Sequence, residues 1–490
     1  MKNLIASERV AEIKKSFLDS PDIVVMDINV CKKKMSLIFI DELCNQEDVN
    51  KSVLFPLNSF ADKDITLSIL KEQVLTFCNS EILDEEQAKE KILRGFAVLF
   101  IDGEKQALCF NTVLYPGRSV EEPPTSTVLS GPREGFTETL KINLSLIRKR
   151  LPTKDLKVEE VIVGLKTKTR VNLVYLNDIV DKHIVKEIKQ KLNNFEIDGV
   201  IDSYYITKFL EDKPNSIFRQ VGNCEKPDIA CAKMLEGRVA ILVDGSPIVL
   251  TVPFIMFEDF QSSNDYYSDA HRVSILRIIR VFGLFISIFL PGLYIALQLY
   301  HYKVLPLKFL VTIINTTQNL PLNPFLEILF IIILFDILFE ASVRMPKYLG
   351  MAISIVGALI LGDTAVKAGL VSPPSVMIVA LSAITVYIIP NQSSQISLLR
   401  LVFAIIGGTL GFHGIILGML FFMSYLCDFD SFNTPYLAPY TPYVKSDQKD
   451  FILKDSLVNL KTRPKSIPNK KKIRLKQKSE EDDNAKENNN

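Results

Sequence analysis

The side chains best placed to do chemistry in this 490-residue chain are acids that fall within apolar runs. Glu327, Asp336, Glu340 and Asp363 lie in or beside stretches of lipid-compatible composition, where a charge is costly unless it faces water or a partner. Asp336 and Glu340 are four apart and share one helix face, with Glu327 pointing roughly the other way; Asp363 and Lys367 are also four apart and can pair across one turn. Such groups could pass or hold ions; snorkelling at helix ends and adhesion between helices are equally open readings. Catalysis has little to stand on. No Gly-rich phosphate loop, HExxH, GxSxG or kinase-type motif occurs. The four histidines (183, 271, 301, 413) have no neighbour at metal-ligand spacing, and the seven cysteines (31, 44, 78, 109, 224, 231, 427) form no CxxC. Scattered thiols of odd number fit a reduced, cytosol-facing protein. Asp244 is followed by Gly245 and reads as a tight turn, and Asp265-Tyr266-Tyr267 reads as packing or a hinge. The expectation is no enzyme, no metal and no cofactor.

The elements that must position those acids divide the chain. With 57 basic and 56 acidic side chains the net charge is +1, which excludes a generally basic nucleic-acid binder. An apolar fraction of 48% beside 23% charged residues requires two unlike regions. Residues 1 to 270 carry charge throughout, and MKNLIASERVAEIKKSF has no apolar core of signal-peptide length, so the amino terminus is expected in the cytoplasm. Val281–Tyr300 is uncharged for twenty residues, the length a helix needs to cross about 30 Å of hydrocarbon. Apolar segments follow at 324–339, 349–371, 374–390 and 398–427. Arg272, Arg277 and Arg280 before the first span, Arg344 and Lys347 after the second, and the basic stretch Lys461–Lys478 all favour the inside. Five full crossings conflict with that parity. Either one segment re-enters, with 349–371 the favoured one, or 304–318 also enters the membrane. Trp is absent, so Tyr300, Tyr302, Tyr348 and Tyr425 are the expected interfacial aromatics, while Gly407, Gly408, Gly411, Gly414 and Gly418 allow tight helix contact.

The charged region carries a diverged repeat. GFAVLFIDG (95–103) recurs as GRVAILVDG (237–245), and MSLIFI (35–40) parallels VNLVYL (171–176). Each copy reads as an early strand, helical sequence and a strand–Asp-Gly–strand hairpin. The expected fold is an α/β soluble amino-terminal region of two similar subdomains, followed by an α-helical polytopic membrane domain. Its boundaries are subdomain 1 over 1–118, a linker over 119–134, subdomain 2 over 135–270, transmembrane helices over 271–427 and a polar basic tail, largely disordered, over 428–490. The tail stretch KTRPKSIPNKKKIRLKQKS contains no acid and no aromatic, so membrane lipid headgroups suit it better than nucleic acid.

At SGPREGFTETLKINLSLIRKRL (130–151), LEGRVAILVDGSPIVLTVP (235–253), DYY (265–267), FEASVRMP (339–346), ILGDTAVKAGLVSP (360–373) and SFNTPYLAP (431–439), the chain resembles the A subunits of GerA-type spore germination receptors. It departs at Phe339, where the family often has Arg, and at Ser342 and Asn433, where it has Gly. The resemblance implies a multi-pass protein of the spore inner membrane with a cytoplasmic amino-terminal region. It implies a transporter-like, nutrient-binding B subunit and a lipoprotein C subunit as partners, homo-oligomerisation, and a ligand-gated cation channel. Gating elements are then expected at Glu340–Pro346 and Gly362–Pro373, with Glu340, Arg344, Asp363, Val366 and Lys367 as pore or gating candidates. Pro132, Arg133, Glu134, Gly135 and Phe136 are the subunit-contact candidates, helix capping by Thr137 being the alternative for that motif. A member of the dipicolinate-release branch and a non-conducting membrane scaffold are the rival functions.

Overall fold

Short, nearly continuous apolar strands build the amino-terminal part. The computed structural model describes residues 5–30, 33–59, 66–71, 80–114, 130–318, 320–344 and 362–475. Among them, β1 (Ile23–Val30), β2 (Lys33–Ile40), β3 (Ser80–Leu83), β4 (Ala97–Ile101) and β5 (Ala107–Phe110) form one antiparallel sheet in the order β1-β2-β4-β5-β3. Register pairs Ile23 with Ile40, Met35 with Ile101 and Ala97 with Phe110. Successive side chains of a strand point to opposite faces. Met35, Leu37, Phe39, Leu99 and Ile101 therefore pack under helical turns at 46–57 and 66–70. Ile38, Ile40, Val98 and Phe100 pack on the other face under α1 (Ala6–Ser16) and α2 (Glu85–Leu93).

The second copy repeats this arrangement. β6 (Leu156–Val163), β7 (Thr169–Leu176), β8 (Gly222–Cys224), β9 (Val239–Val243) and β10 (Val249–Val252) have the order β6-β7-β9-β10-β8, again antiparallel. α3 (Leu140–Arg150) and α6 (Pro227–Leu235) cover one face; α4 (Lys182–Asn193) and α5 (Ser203–Leu210) cover the other. The two Asp-Gly turns link β4 to β5 and β9 to β10, with Gly103 and Gly245 at φ +87° and +89°, a conformation that favours glycine.

The described residues up to Ile255, with Asp430–Thr434 and those from Leu460 onward, form one unit; Met256–Phe429 and Pro435–Asn459 form a second. The carboxyl-terminal segment thus departs from the expected disorder, being packed as far as Leu475. Within the first unit Ser431 Oγ donates to the Gln220 carbonyl at 2.6 Å and accepts from Phe254 N–H at 2.9 Å, and Phe432 joins the core of the second copy. Asn433, at φ +58°, holds a left-handed conformation that glycine and asparagine tolerate best. Further on, Arg463 is buried and donates from Nε to the Leu235 carbonyl at 2.6 Å, and from Nη1 to Lys471 O at 3.0 Å and Ile473 O at 2.6 Å. These bonds, with buried Ile467, outweigh the basic composition that suggested disorder. Gly237 makes room for this strap: at φ +110°, an added Cβ would lie 2.9 Å from Asn469 Cβ. Gly237→Ala is expected to destabilise the first unit by about 1–3 kcal/mol and to speed hydrogen exchange across 461–475, measured by mass spectrometry.

The second unit is a helix bundle of α7 (Ala270–Leu299), α8 (Leu307–Thr317), α9 (Pro324–Arg344), α10 (Pro373–Val386) and α11 (Ser393–Cys427). By length and composition α7 and the segment Pro390–Cys427 suffice to cross a membrane. The first part of α11 runs parallel to α7. The Phe403 ring meets Phe289 edge-on with centroids 4.6 Å apart, a Cβ on Gly407 would lie 2.3 Å from the Gly292 carbonyl oxygen, and Tyr300 Oη donates to Gly408 O at 2.9 Å. At Gly411 (φ 62°, ψ −153°) the helix breaks. Phe422 lies 6.4 Å from Phe403, and a Cβ on Gly418 would touch the Phe403 ring at 3.1 Å. In a straight helix residues 403 and 418 would be about 22 Å apart, so α11 is a hairpin of two arms. The expected single span over 398–427 is replaced by this fold-back. Met256 N–H donates to Tyr436 O at 2.9 Å, so the chain enters and leaves the unit at the same end. The favoured re-entrant stretch 349–371 lies outside the described residues as far as 361; beyond it, residues 362–367 are helical and Gly369 (φ +68°) turns the chain towards α10.

Candidate functional site

α9 and its neighbours hold most of the charge in the bundle. Glu340 accepts from Arg344 Nη2 at 2.7 Å, one turn on, and Asp363 accepts from Lys367 Nζ at 2.6 Å in the same i,i+4 relation. Both pairs are well exposed. Val366 is half-buried and packs inward against the Ile328–Ile332 cluster. Met345 and Pro346 of the expected gating element lie outside the described residues. Asp336, sharing the Glu340 face, accepts from Arg400 Nη2 at 2.5 Å and from Ser397 Oγ at 3.1 Å. Asp336, Glu340, Arg344, Tyr387, Ser397 and Arg400 line part of one groove of about 990 Å³. Arg400 has no counterpart in the sequence-based list, because only the packing of α11 on α9 brings position 400 to 336.

Glu327, one of the acids in the apolar runs, stands outside the pore and gating candidates. It is fully buried, and its Oε1 accepts from Ser372 N–H at 2.5 Å, immediately before α10 begins. Ser372 caps α10 through Ser375 N–H, and the Tyr294 hydroxyl lies beside Ser372, Ser375 and Glu327. A carboxylate suits this place, since the first turn of a helix presents unpaired N–H groups and the positive end of its dipole. Helix rotation decides that Glu327 faces inward while Glu340 faces out, and one sequence does not fix rotation. His301 and His413, 112 positions apart in sequence, have ring centroids 5.6 Å apart beside the Gly411 bend. Among the described residues no group of three or more His, Cys, Asp or Glu is placed to hold a metal.

The DYY motif forms a charged collar at the start of α7. Asp265 is 1% exposed and accepts from Arg277 Nε at 2.9 Å and from Arg280 Nη1 and Nη2 at 2.7 and 2.9 Å. Lys454 donates to its carbonyl, and Ser262 N–H donates to its carboxylate at 3.2 Å to close a capping box. Arg277 also donates to Asp450 Oδ1 at 3.1 Å, and Tyr266 Oη donates to Asp450 Oδ2 at 3.1 Å. Burial alone would raise the Asp265 carboxyl, but the hydrogen bonds and charges of Arg280 and Arg277 outweigh it and hold the group below the ordinary carboxylate range. Of the two readings of DYY, packing and a hinge, these buried contacts show packing.

In the first unit, Gly135 and Phe136 are buried, and Phe136 N–H donates to Glu225 O at 2.8 Å. Glu134 accepts from Lys149 at 3.0 Å and Arg150 at 2.6 Å, Pro132 is half-buried, and Arg133 is exposed. Thr137 does not cap α3 with its side chain; Asp244, the turn acid, accepts from Leu140 N–H at 3.3 Å instead. Arg148 makes a buried ion pair with Asp22, Nη2 to Oδ2 at 2.6 Å. Beside it, burial and then the charge of Asp22, with a smaller push from Asp41, raise the Glu42 carboxyl to about 8, against the pull of a backbone hydrogen bond and Arg148. The folded chain therefore keeps a proton that the unfolded chain releases near its ordinary value of 4.5. Stability from this site is full below that value and is lost as pH rises to about 8. Glu42→Gln is expected to flatten this loss, gaining roughly 2–5 kcal/mol at pH 9 and little at pH 4, read from chemical-denaturation midpoints. Cys44, Cys109, Cys224 and Cys231 are buried free thiols, and burial pushes Cys231 up to about 12.

Residues 11–466 match the family described as Bacillus/Clostridium GerA spore germination protein. Spore germination protein KA of Bacillus subtilis (strain 168) is 35% identical over 478 residues, covering 96% of this chain and 88% of the relative. Spore germination protein B1 of the same organism is 32% identical, covering 88% and 90%. The crystal structure of the N-terminal domain of the A subunit of the Bacillus megaterium spore germinant receptor GerK3 aligns at TM-score 0.40 and 27% identity, covering 51% of this chain and 95% of that one. The chain belongs to the GerA spore germination protein family.

Proposed function

We propose that this chain is the A subunit of a spore germinant receptor, held in the spore inner membrane by its helical unit with the sheet-bearing unit in the cytoplasm. Copies of it assemble around a cation path that opens when a transporter-like B subunit binds nutrient; a lipoprotein C subunit completes the complex. One observation carries this reading. The side chains of the Glu340–Arg344 and Asp363–Lys367 pairs are 58–79% exposed, among exposed Ile337, Phe339, Val343 and Leu370. Charges in hydrocarbon are strongly disfavoured, so these faces require water or a second subunit, and an oligomeric path supplies both. Val366, half-buried behind the second pair, acts by setting helix position. The fold-back at Gly411 supports an even number of passes, in keeping with the basic residues at both ends of the helical unit. In the PREGFTE motif, buried Gly135 and Phe136 hold the shape while Arg133 and Pro132 offer the contact.

Potassium release from cells co-expressing this chain with its partner subunits tests the reading. Nutrient-dependent release is expected with the wild type, and it should fall at least tenfold with Asp363→Asn or Val366→Phe in complexes that still assemble. Release that persists without this chain would overturn the conducting role.

A further inference from the structure

The strap over 461–475 carries more unneutralised charge than any fold requirement explains. Lys461, Lys465, Lys470, Lys472 and Arg474 are all exposed and make no ion pair among the described residues, whereas Lys471 pairs with Asp178 at 2.5 Å. A loose segment would spread such charges apart. This one cannot, because its backbone is pinned. Arg463 N–H donates to Lys472 O at 2.8 Å, Arg474 N–H to Lys461 O at 2.9 Å and Lys470 N–H to Ile179 O at 2.8 Å. The Arg463 guanidinium and buried Ile467 fix it from within. Among the free charges stand two apolar side chains, Ile473 at 56% and Leu475 at 38% exposure.

We propose that this pinned basic strap is a docking surface for the anionic headgroups of a bilayer, with Ile473 and Leu475 reaching the acyl boundary. Two observations favour a lipid surface. Several like charges held in one place without counter-charges complement an extended anionic plane, which attracts basic side chains within a Debye length of about 10 Å. The strap has no aromatic residue on which nucleic-acid bases could stack, while its aliphatic side chains suit a membrane boundary. The proposal rests on α7 and its bundle being embedded in a membrane.

The test uses the full chain in nanodiscs of phosphatidylcholine alone or with one-third phosphatidylglycerol, with lysine amine labelling read by mass spectrometry. Lys186, exposed on α4, is the reference. In anionic discs at low salt, Lys461, Lys465, Lys470 and Lys472 are expected to label at least fivefold more slowly than in neutral discs relative to Lys186, with the protection lost at 0.5 M salt. Lys465→Glu with Lys470→Glu should abolish the protection of the remaining lysines, while the variant still incorporates. Equal labelling in the two discs overturns the proposal and leaves the anchoring reading intact. Protection in neutral discs by added oligonucleotide, without lipid-dependent protection, overturns it in favour of a nucleic-acid surface. Failure of the folded chain to incorporate in either disc overturns the anchoring reading and this proposal together.

Discussion

Asp265→Ala is expected to lower the stability of the helical unit by about 3–5 kcal/mol, because it removes one partner from a buried charge pair and strands the other. Arg277 is fully buried and Arg280 nearly so, and both point at the lost carboxylate. The capping-box contact from Ser262 goes with it. Asp265→Asn keeps the shape and some of the hydrogen bonds but not the charge, so its loss should be about half as large. The pH dependence has a definite sign. The folded carboxyl titrates below its ordinary 3.8, so its contribution is full above that value and disappears only as the solution becomes more acid. Thermal unfolding of the detergent-solubilised chain between pH 3 and 7 measures both. A flat difference between wild type and Asp265→Ala down to pH 3 would show that the collar is not ionic.

The second large effect lies where α7 and α11 touch backbone to backbone. A Cβ on Gly407 would sit 2.3 Å from the Gly292 carbonyl oxygen, and one on Gly292 would sit 2.4 Å from the Phe403 carbonyl oxygen. No side chain can swing aside to relieve either clash. Gly407→Ala is expected to cost about 2–3 kcal/mol, and Gly407→Leu to prevent the two helices from packing at all. The double variant Gly292→Ala with Gly407→Ala should cost clearly less than the sum, since helices already parted by one methyl have room for the other. Additivity within error would mean that the two glycines do not meet. A cysteine cross-link between Gly283→Cys and Ile388→Cys, whose Cβ atoms would lie 3.8 Å apart, reports whether α7 stays seated on the turn between α10 and α11.

Much of the first unit was legible because its signals are local. The strands around Ile38 and Val174 are short, nearly continuous apolar runs, as strands covered on both faces are, and Asp102-Gly103 and Asp244-Gly245 demand a left-handed residue at a fixed place. Two matched segments at similar offsets mark the repeated topology in the sequence. The helical unit was legible only as composition. An apolar run from 398 to 427 with spaced glycines reads as one span, and nothing local distinguishes Gly411, which breaks the helix, from Gly407, which packs it. The buried place of Glu327 and the pairing of Asp336 with Arg400 depend on helix rotation, fixed by contacts between segments tens of residues apart. The strap misled for a related reason. Its composition is that of a solvated tail, and two residues that anchor it, Arg463 and Asn469, meet partners more than 200 positions upstream, at Leu235 and around Val180 and Gly237.

The break at Gly411 also bears on how the chain is made. Its two arms, 393–410 and 412–427, are each shorter than the twenty or so residues that an independent span requires. In the membrane placement proposed above, neither arm by itself is a full-length crossing and the first arm's end at the bend would be unpaired in hydrocarbon, so the two arms would have to partition together. In that placement, filling Gly411 with a helix former would join the arms into one long span and reverse the sidedness of the residues that follow it.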